Sequence, residues 1–140
     1  MTGTKIDGKM IAQTVKDRVK KSTSELKKEG INPCLATVLV GNNAASATYV
    51  RNKHKACEEV GIITKDHKLD DSVTQQELNR IIDELNADTS VHGILVQLPL
   101  PKHLSEFATT SRISPIKDVD GLTPHNSGLL SMKKAALVAC

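Results

Sequence analysis

A chain of 140 residues with 39% hydrophobic and 25% charged side chains has the composition of one soluble domain able to bury a core of its own. The net charge of +3 arises from 19 basic and 16 acidic residues that are interleaved along most of the chain, which argues against a dedicated nucleic-acid surface with a basic strip and stacking aromatics. Cys34, Cys57 and Cys140 are odd in number and widely spaced, so neither a disulfide framework nor a zinc site is suggested.

Tyr49 and Phe107 are the only aromatic residues, and the core must therefore be built from Ile, Leu, Val and Ala. Residues 1–9 lack the apolar centre of a signal peptide, and no stretch approaches the ~20 apolar residues that span a bilayer. With the cysteines read as reduced thiols, the expected location is the cytoplasm, with no membrane partner.

In chain order, Met10, Ile11, Val15, Val19 and Leu26 have helical spacing and Gly30 supplies a stop, predicting an amphipathic helix over about 9–29. Cys34 to Val40 is a short apolar run ended by Gly41 and Asn42, suited to a strand buried on both faces. A helix over 46–60 follows and stops at Gly61. Ile62 to Leu69 forms a more polar strand. Thr74 to Leu85 is a helix opened by a capping box of Thr74 and Glu77. Val91 to Leu98 is a third strand running into Pro99-Leu100-Pro101, where either X-Pro bond is a candidate for the cis form. A helix followed by βαβαβ predicts an α/β fold, a three-layer α-β-α domain with a mainly parallel sheet.

Ligands in such sheets bind beyond the carboxyl ends of the strands, and the unusual residues gather there. Lys53 falls in the middle of the apolar face made by Val50, Ala56, Cys57 and Val60, one turn after Tyr49. It must snorkel to water, find a partner or lower its pKa, and the last outcome makes it a base. Tyr49 is either an amphipathic residue at a helix edge or a ligand platform. Gln97 ends an apolar strand, where its amide either satisfies nearby backbone groups or holds another side chain. Asp118 and Asp120 lie two apart in Lys117-Asp118-Val119-Asp120-Gly121; they are either turn residues bonded to backbone amides or ligand groups. The further oxygen ligands of a calcium loop are missing, so no metal is expected.

Three long segments occur in order: Gly41 to Lys53 (GNNAASATYVRNK), Gly93 to Pro101 (GILVQLPLP) and Lys117 to Leu122 (KDVDGL). Together they closely resemble the bifunctional methylenetetrahydrofolate dehydrogenase/cyclohydrolase family, over most of residues 1–130. The resemblance implies oxidation of 5,10-methylenetetrahydrofolate with NADP or NAD, then hydrolysis of the 5,10-methenyl cation to 10-formyltetrahydrofolate. It implies that Tyr49 packs on the folate, Lys53 is the main catalytic group of the hydrolysis, Gln97 holds that lysine and Asp120 bonds the pterin. The substrate-binding set it implies is Ser46, Tyr49, Val50, Arg51, Asn52, Lys53, Val96, Gln97, Leu98, Pro99 and Asp120.

Two departures accompany the match. Ala44 stands where members usually have proline, which suggests a less rigid loop before the helix. No glycine-rich phosphate loop follows a strand, and Ala139-Cys140 falls where members lead into a dinucleotide-binding domain. The whole of residues 1–140 is therefore expected to be an amino-terminal folate-binding catalytic domain. NADP or NAD would serve only the full-length parent, a homodimer, with no cofactor bound to this chain alone. The rival readings are a non-catalytic folate-binding or interaction module and, on the pI near 8.8 alone, a small nucleic-acid binder.

Overall fold

In a computed structural model of the protein, residues 6–137 are described; the comparison drawn at Ala139 and Cys140 lies outside them. Eight elements follow one another: α1 (Gly8–Lys28), β1 (Cys34–Val40), α2 (Ala44–Val60), β2 (Ile63–Leu69), α3 (Gln75–Ala87), β3 (Gly93–Val96), α4 (Glu106–Arg112) and α5 (Pro124–Ser131). The three strands form a parallel sheet in the order β2-β1-β3. The expected α/β layering is present, with α2 on one face of the sheet and α3 on the other.

Register decides which side chains each face receives. Thr37 of β1 pairs with Asp66 of β2 and Leu95 of β3, and Leu35 pairs with Gly93. Successive strand residues alternate between faces, so Thr37, Asp66, Gly93 and Leu95 share one side. His54 of α2 reaches this side, with its Nε2 at 3.0 Å from Thr37 Oγ1 and 2.7 Å from Asp66 Oδ1. The other side presents Ala36, Val38, Ile94 and Val96 to Leu78, Ile82 and Leu85 of α3. Leu100, Leu104 and Ile113 complete this core.

The helix ends follow local chemistry. Thr74 and Glu77 make the capping box of α3. Asn43 caps α2 by accepting from the Ser46 amide at 3.0 Å, and Gly61 closes that helix with φ of 80°, a left-handed conformation that glycine adopts without steric cost. Ala44 is thus the first residue of the helix and not part of a loop. Proline is favoured there because that amide has no intrahelical partner, and alanine fills the position in regular helical conformation.

Helix α1 forms as expected but its apolar side does not turn inward. Met10, Ile11, Val15 and Leu26 are exposed, and Thr23 is its only buried residue. α1 rests on α2 through its polar side, with Lys16 paired to Glu59 and Thr23 and Lys27 beside Gly61. Helices α4 and α5 go beyond the sequence reading, although both carry start signals: Ser105 caps α4, and Thr123 caps α5 with Pro124 at the first turn.

Candidate active site

At the carboxyl end of the sheet a cleft of about 730 Å³ opens between α2, the end of β3 and the segment before α5. It is lined by Asn43, Ala45, Ser46, Tyr49, Lys53, Leu95, Gln97, Leu98, Pro99, Val119 and Asp120. Helical geometry explains the first group. Residues 46, 49 and 53 lie on neighbouring turns of one side of α2, and that side faces the cleft. Ser46 is buried, Lys53 half-buried and Tyr49 65% exposed at the mouth.

Strand alternation explains Gln97. It follows Val96 and continues the ladder by donating its amide to Val38 O at 2.9 Å, so its side chain falls on the face that α2 covers, together with Leu95. The Gln97 side chain donates from Nε2 to Leu98 O at 2.7 Å. Its Oε1 is buried and has no hydrogen-bond partner. Gln97 thus satisfies a backbone carbonyl, as one reading had it, and the hold on Lys53 implied by the resemblance is not made. A buried acceptor without a donor costs about 1–3 kcal/mol, which a ligand or Lys53 would offset by supplying an N–H. The Leu98-Pro99 bond that follows is cis.

The third wall is the aspartate segment. Lys117 O accepts from the Ile94 amide at 2.7 Å, and Asp118 bridges to Ile94 in parallel sense, so residues 117–118 extend the sheet at the free edge of β3. Lys117 Nζ donates to the carbonyls of Leu85, Asn86 and Asp88 at 2.8–3.0 Å, answering the unpaired carbonyls where α3 ends. Asp118 turns inward and is 1% exposed. It accepts from the amides of Leu122 and Thr123 at 3.2 and 2.8 Å and from Asn126 Nδ2 at 2.9 Å. Burial draws its carboxyl upward, but these donors outweigh burial and hold it below the ordinary range.

Asp120, two residues on, points the other way into the cleft. Burial pushes its carboxyl upward, the facing Lys53 opposes the rise and Asp118 adds to it. Of this pair, Asp118 is the turn residue bonded to backbone amides, and Asp120 lines the cleft. Gly93 lets the wall approach, because a Cβ there would lie 2.5 Å from Val119 Cγ1.

The cleft gathers Ser46, Tyr49, Lys53, Gln97, Leu98, Pro99 and Asp120 from the expected substrate set. It does not gather Val50, Arg51, Asn52 or Val96. Val50 is buried and, with Arg51, lines a separate hollow by His54 and Asp66; Asn52 is exposed on another side of the helix. Val96 points into the core beside α3. A contiguous motif marks a helix or strand, whereas only the residues at matching angles reach one side of it. Asn43, Ala45, Leu95 and Val119 line the cleft and were missed; for Leu95 the signal was its separation of two from Gln97.

The turn after β1 is backed by acid: a Cβ on Gly41 would lie 2.7 Å from Asp71 Oδ1, and a carboxylate there opposes a pyrophosphate. No described helix is long and apolar enough to cross a membrane.

Residues 6–120 match the family described as tetrahydrofolate dehydrogenase/cyclohydrolase, catalytic domain. The chain belongs to this family. It is 80% identical over 140 residues to the bifunctional protein FolD of Nitrosopumilus maritimus, covering 100% of this chain and 49% of that protein. The FolD protein of Cenarchaeum symbiosum is 59% identical over 135 residues, 96% of this chain and 48% of that one. Among solved structures, the bifunctional FolD dehydrogenase/cyclohydrolase of Campylobacter jejuni superposes with a TM-score of 0.94 at 46% identity, covering 96% of this chain and 48% of that one. The Trypanosoma brucei enzyme, solved with NADP cofactor and an inhibitor, superposes with a TM-score of 0.90 at 34% identity, covering 99% of this chain and 48% of that one. The family member thus spans about half the length of the relatives it matches.

Proposed function

We propose that residues 1–140 form the folate-binding catalytic domain of a bifunctional methylenetetrahydrofolate dehydrogenase/cyclohydrolase. The whole protein would oxidise 5,10-methylenetetrahydrofolate with NADP, or NAD, and hydrolyse the resulting 5,10-methenyl cation to 10-formyltetrahydrofolate. The observation that carries this reading is the orphaned Gln97 Oε1, set in a cleft whose other polar walls are Lys53 and Asp120 and whose mouth holds Tyr49. A pterin has an N–H edge for a carboxylate such as Asp120 and for an acceptor such as Gln97 Oε1. The exposed Tyr49 ring offers a flat apolar face to the aromatic part of the ligand.

In the hydrolysis, water adds to the methenyl carbon and gives one proton to the Lys53 amine. The adduct then collapses: its O–H becomes the formyl C=O, the bond to N5 breaks and the hydroxyl proton passes to N5. The proton on Lys53 leaves to solvent. A bound cation discourages a second positive charge beside it, which leaves Lys53 able to accept. For the oxidation, the residues of this cleft would position the folate against the nicotinamide. Cys34 and Cys57 are free thiols, in keeping with a reducing cytoplasm, and homodimerisation of the longer protein belongs to the same proposal.

The test is the decay of methenyl-folate absorbance in the presence of the chain and of Lys53→Ala. Lysine-dependent acceleration, falling by about 100-fold or more in the variant, is the expected outcome. Identical traces, both at the buffer rate, would favour the alternative, a folate-binding module without turnover.

A further inference from the structure

The paired aspartates of the 117–121 segment have opposite surroundings. Asp118 is turned away from the cleft, is almost fully buried and is bonded to Leu122, Thr123 and Asn126. Asn126 is itself buried, held by Pro115 O at 2.9 Å and by the Thr123 hydroxyl, which accepts from its amide. The Asp118 carboxylate therefore ties residue 118 to the first turn of α5 across the short stretch that contains Asp120. The segment is fixed on its other side by the Ile94 amide and by Lys117 at the end of α3. Asp120 has no hydrogen bond of its own among the described residues and takes its direction from these ties.

We propose that Asp118 is a positioning residue for Asp120: its carboxylate knots the turn so that Asp120 faces the ligand, and its negative charge lies behind the ligand-facing carboxyl. This rests on the reading of Asp120 as a folate-contacting group. Two consequences follow, and the first is one that a purely structural knot would not show. Loss of the charge at 118 removes a repulsion on Asp120, so the Asp120 carboxyl titrates at lower pH. The other ionisable groups facing Asp120 across the cleft are Lys53 and Tyr49 of α2, while the β3 side contributes only the neutral Gln97. Second, ligand affinity depends on a residue that does not touch the ligand.

The experiment compares the chain with Asp118→Asn, Asn126→Ala and Asp120→Asn. The titration midpoint of Asp120 is followed by carbon NMR of its carboxyl, and the affinity for 5-formyltetrahydrofolate by calorimetry. Asp118→Asn is expected to shift the Asp120 midpoint to lower pH and to weaken binding by about tenfold, the loss that goes with replacing a charged acceptor by a neutral one. Asn126→Ala keeps the charge but loosens the knot, so it should weaken binding about threefold with the midpoint unmoved. An unchanged midpoint and unchanged affinity in Asp118→Asn would overturn the inference. Should Asp118→Asn fail to fold, Asn126→Ala decides: weaker binding upholds the proposal and parental affinity overturns it. Asp120→Asn separates the two levels, because parental affinity in that variant refutes the folate-contacting role of Asp120 itself, whereas weakened binding there with an inert Asp118→Asn refutes only the knot.

Discussion

The two faces of this sheet receive alternate residues of the same three strands, yet one is closed and the other is open for chemistry. On the α3 side, Ala36, Val38, Ile94, Leu78 and Ile82 have no exposed surface, and every side chain meets another hydrocarbon. On the α2 side the strands offer Thr37, Asp66, Leu95 and Gln97. Thr37 and Asp66 are satisfied by His54, whereas Gln97 Oε1 is not satisfied at all. The dry face holds the backbone so firmly that the other face can keep an unpaired acceptor, a half-buried lysine and an exposed tyrosine in place.

The contrast can be broken most directly by exchanging effects between the faces. Ile82→Ala should lower the unfolding free energy by about 3 kcal/mol, because it opens a cavity in a fully buried site. Lys53→Ala should change it by less than about 1 kcal/mol while slowing the proposed hydrolysis by about 100-fold or more. Urea unfolding of both variants checks this. A Lys53→Ala penalty as large as that of Ile82→Ala would make the lysine a structural residue and dissolve the distinction between the faces.

Sequence reasoning reached the closed face more completely than the open one, for physical reasons. A run such as Cys34 to Val40 signals burial on both sides without knowledge of its neighbours, and the Thr74–Glu77 box marks a helix start from four residues. Lys53 and Gln97 were visible as polar breaks in apolar patterns, each on one element. Their approach, and the absence of a bond between them, depend on register and on where a flexible side chain settles, which spacing does not encode. The resemblance marked continuous segments, and so brought in Val50, Arg51, Asn52 and Val96, which do not line the cleft, along with residues that do. For α1 the periodicity gave the helix correctly, but a periodic apolar stripe does not state what it packs against, and that stripe lies exposed.

Gly93 connects the faces at an intermediate cost. A methyl group there would collide with Val119 at 2.5 Å, pushing away the segment that carries Asp120. Gly93→Ala should therefore destabilise the chain by about 1–3 kcal/mol and weaken folate binding at the same time. Val119→Ala in the same chain should recover most of both losses, as expected for two residues in contact. Calorimetric affinity and thermal unfolding of the single and double variants read this directly; a double variant no better than Gly93→Ala would show that the wall is positioned by something other than this contact.

The smallest effect concerns charge and tests whether the open face carries a cost for its function. The Asp120 carboxyl is raised, chiefly by burial, with Lys53 opposing and Asp118 adding. A carboxyl raised on folding holds its proton more tightly in the native state, so native stability gains as pH falls through the raised value and bears a cost above it. At pH 7, Asp120→Asn imitates the protonated form and should raise the melting temperature by about 1–2 °C, an advantage that vanishes on acidification below the ordinary carboxylate range. Asp118 is lowered despite burial because Asn126, Thr123 and Leu122 donate to it. Its contribution is present above the ordinary carboxylate value of about 3.9 and is lost as pH falls through the lowered one. Asp118→Asn should therefore melt lower than the parent at pH 7, with a gap that narrows toward pH 3. The two variants thus approach the parent from opposite sides on acidification. A lower melting temperature for Asp120→Asn at neutral pH would mean that its carboxylate stabilises the fold, and that the open face is no less structural than the closed one.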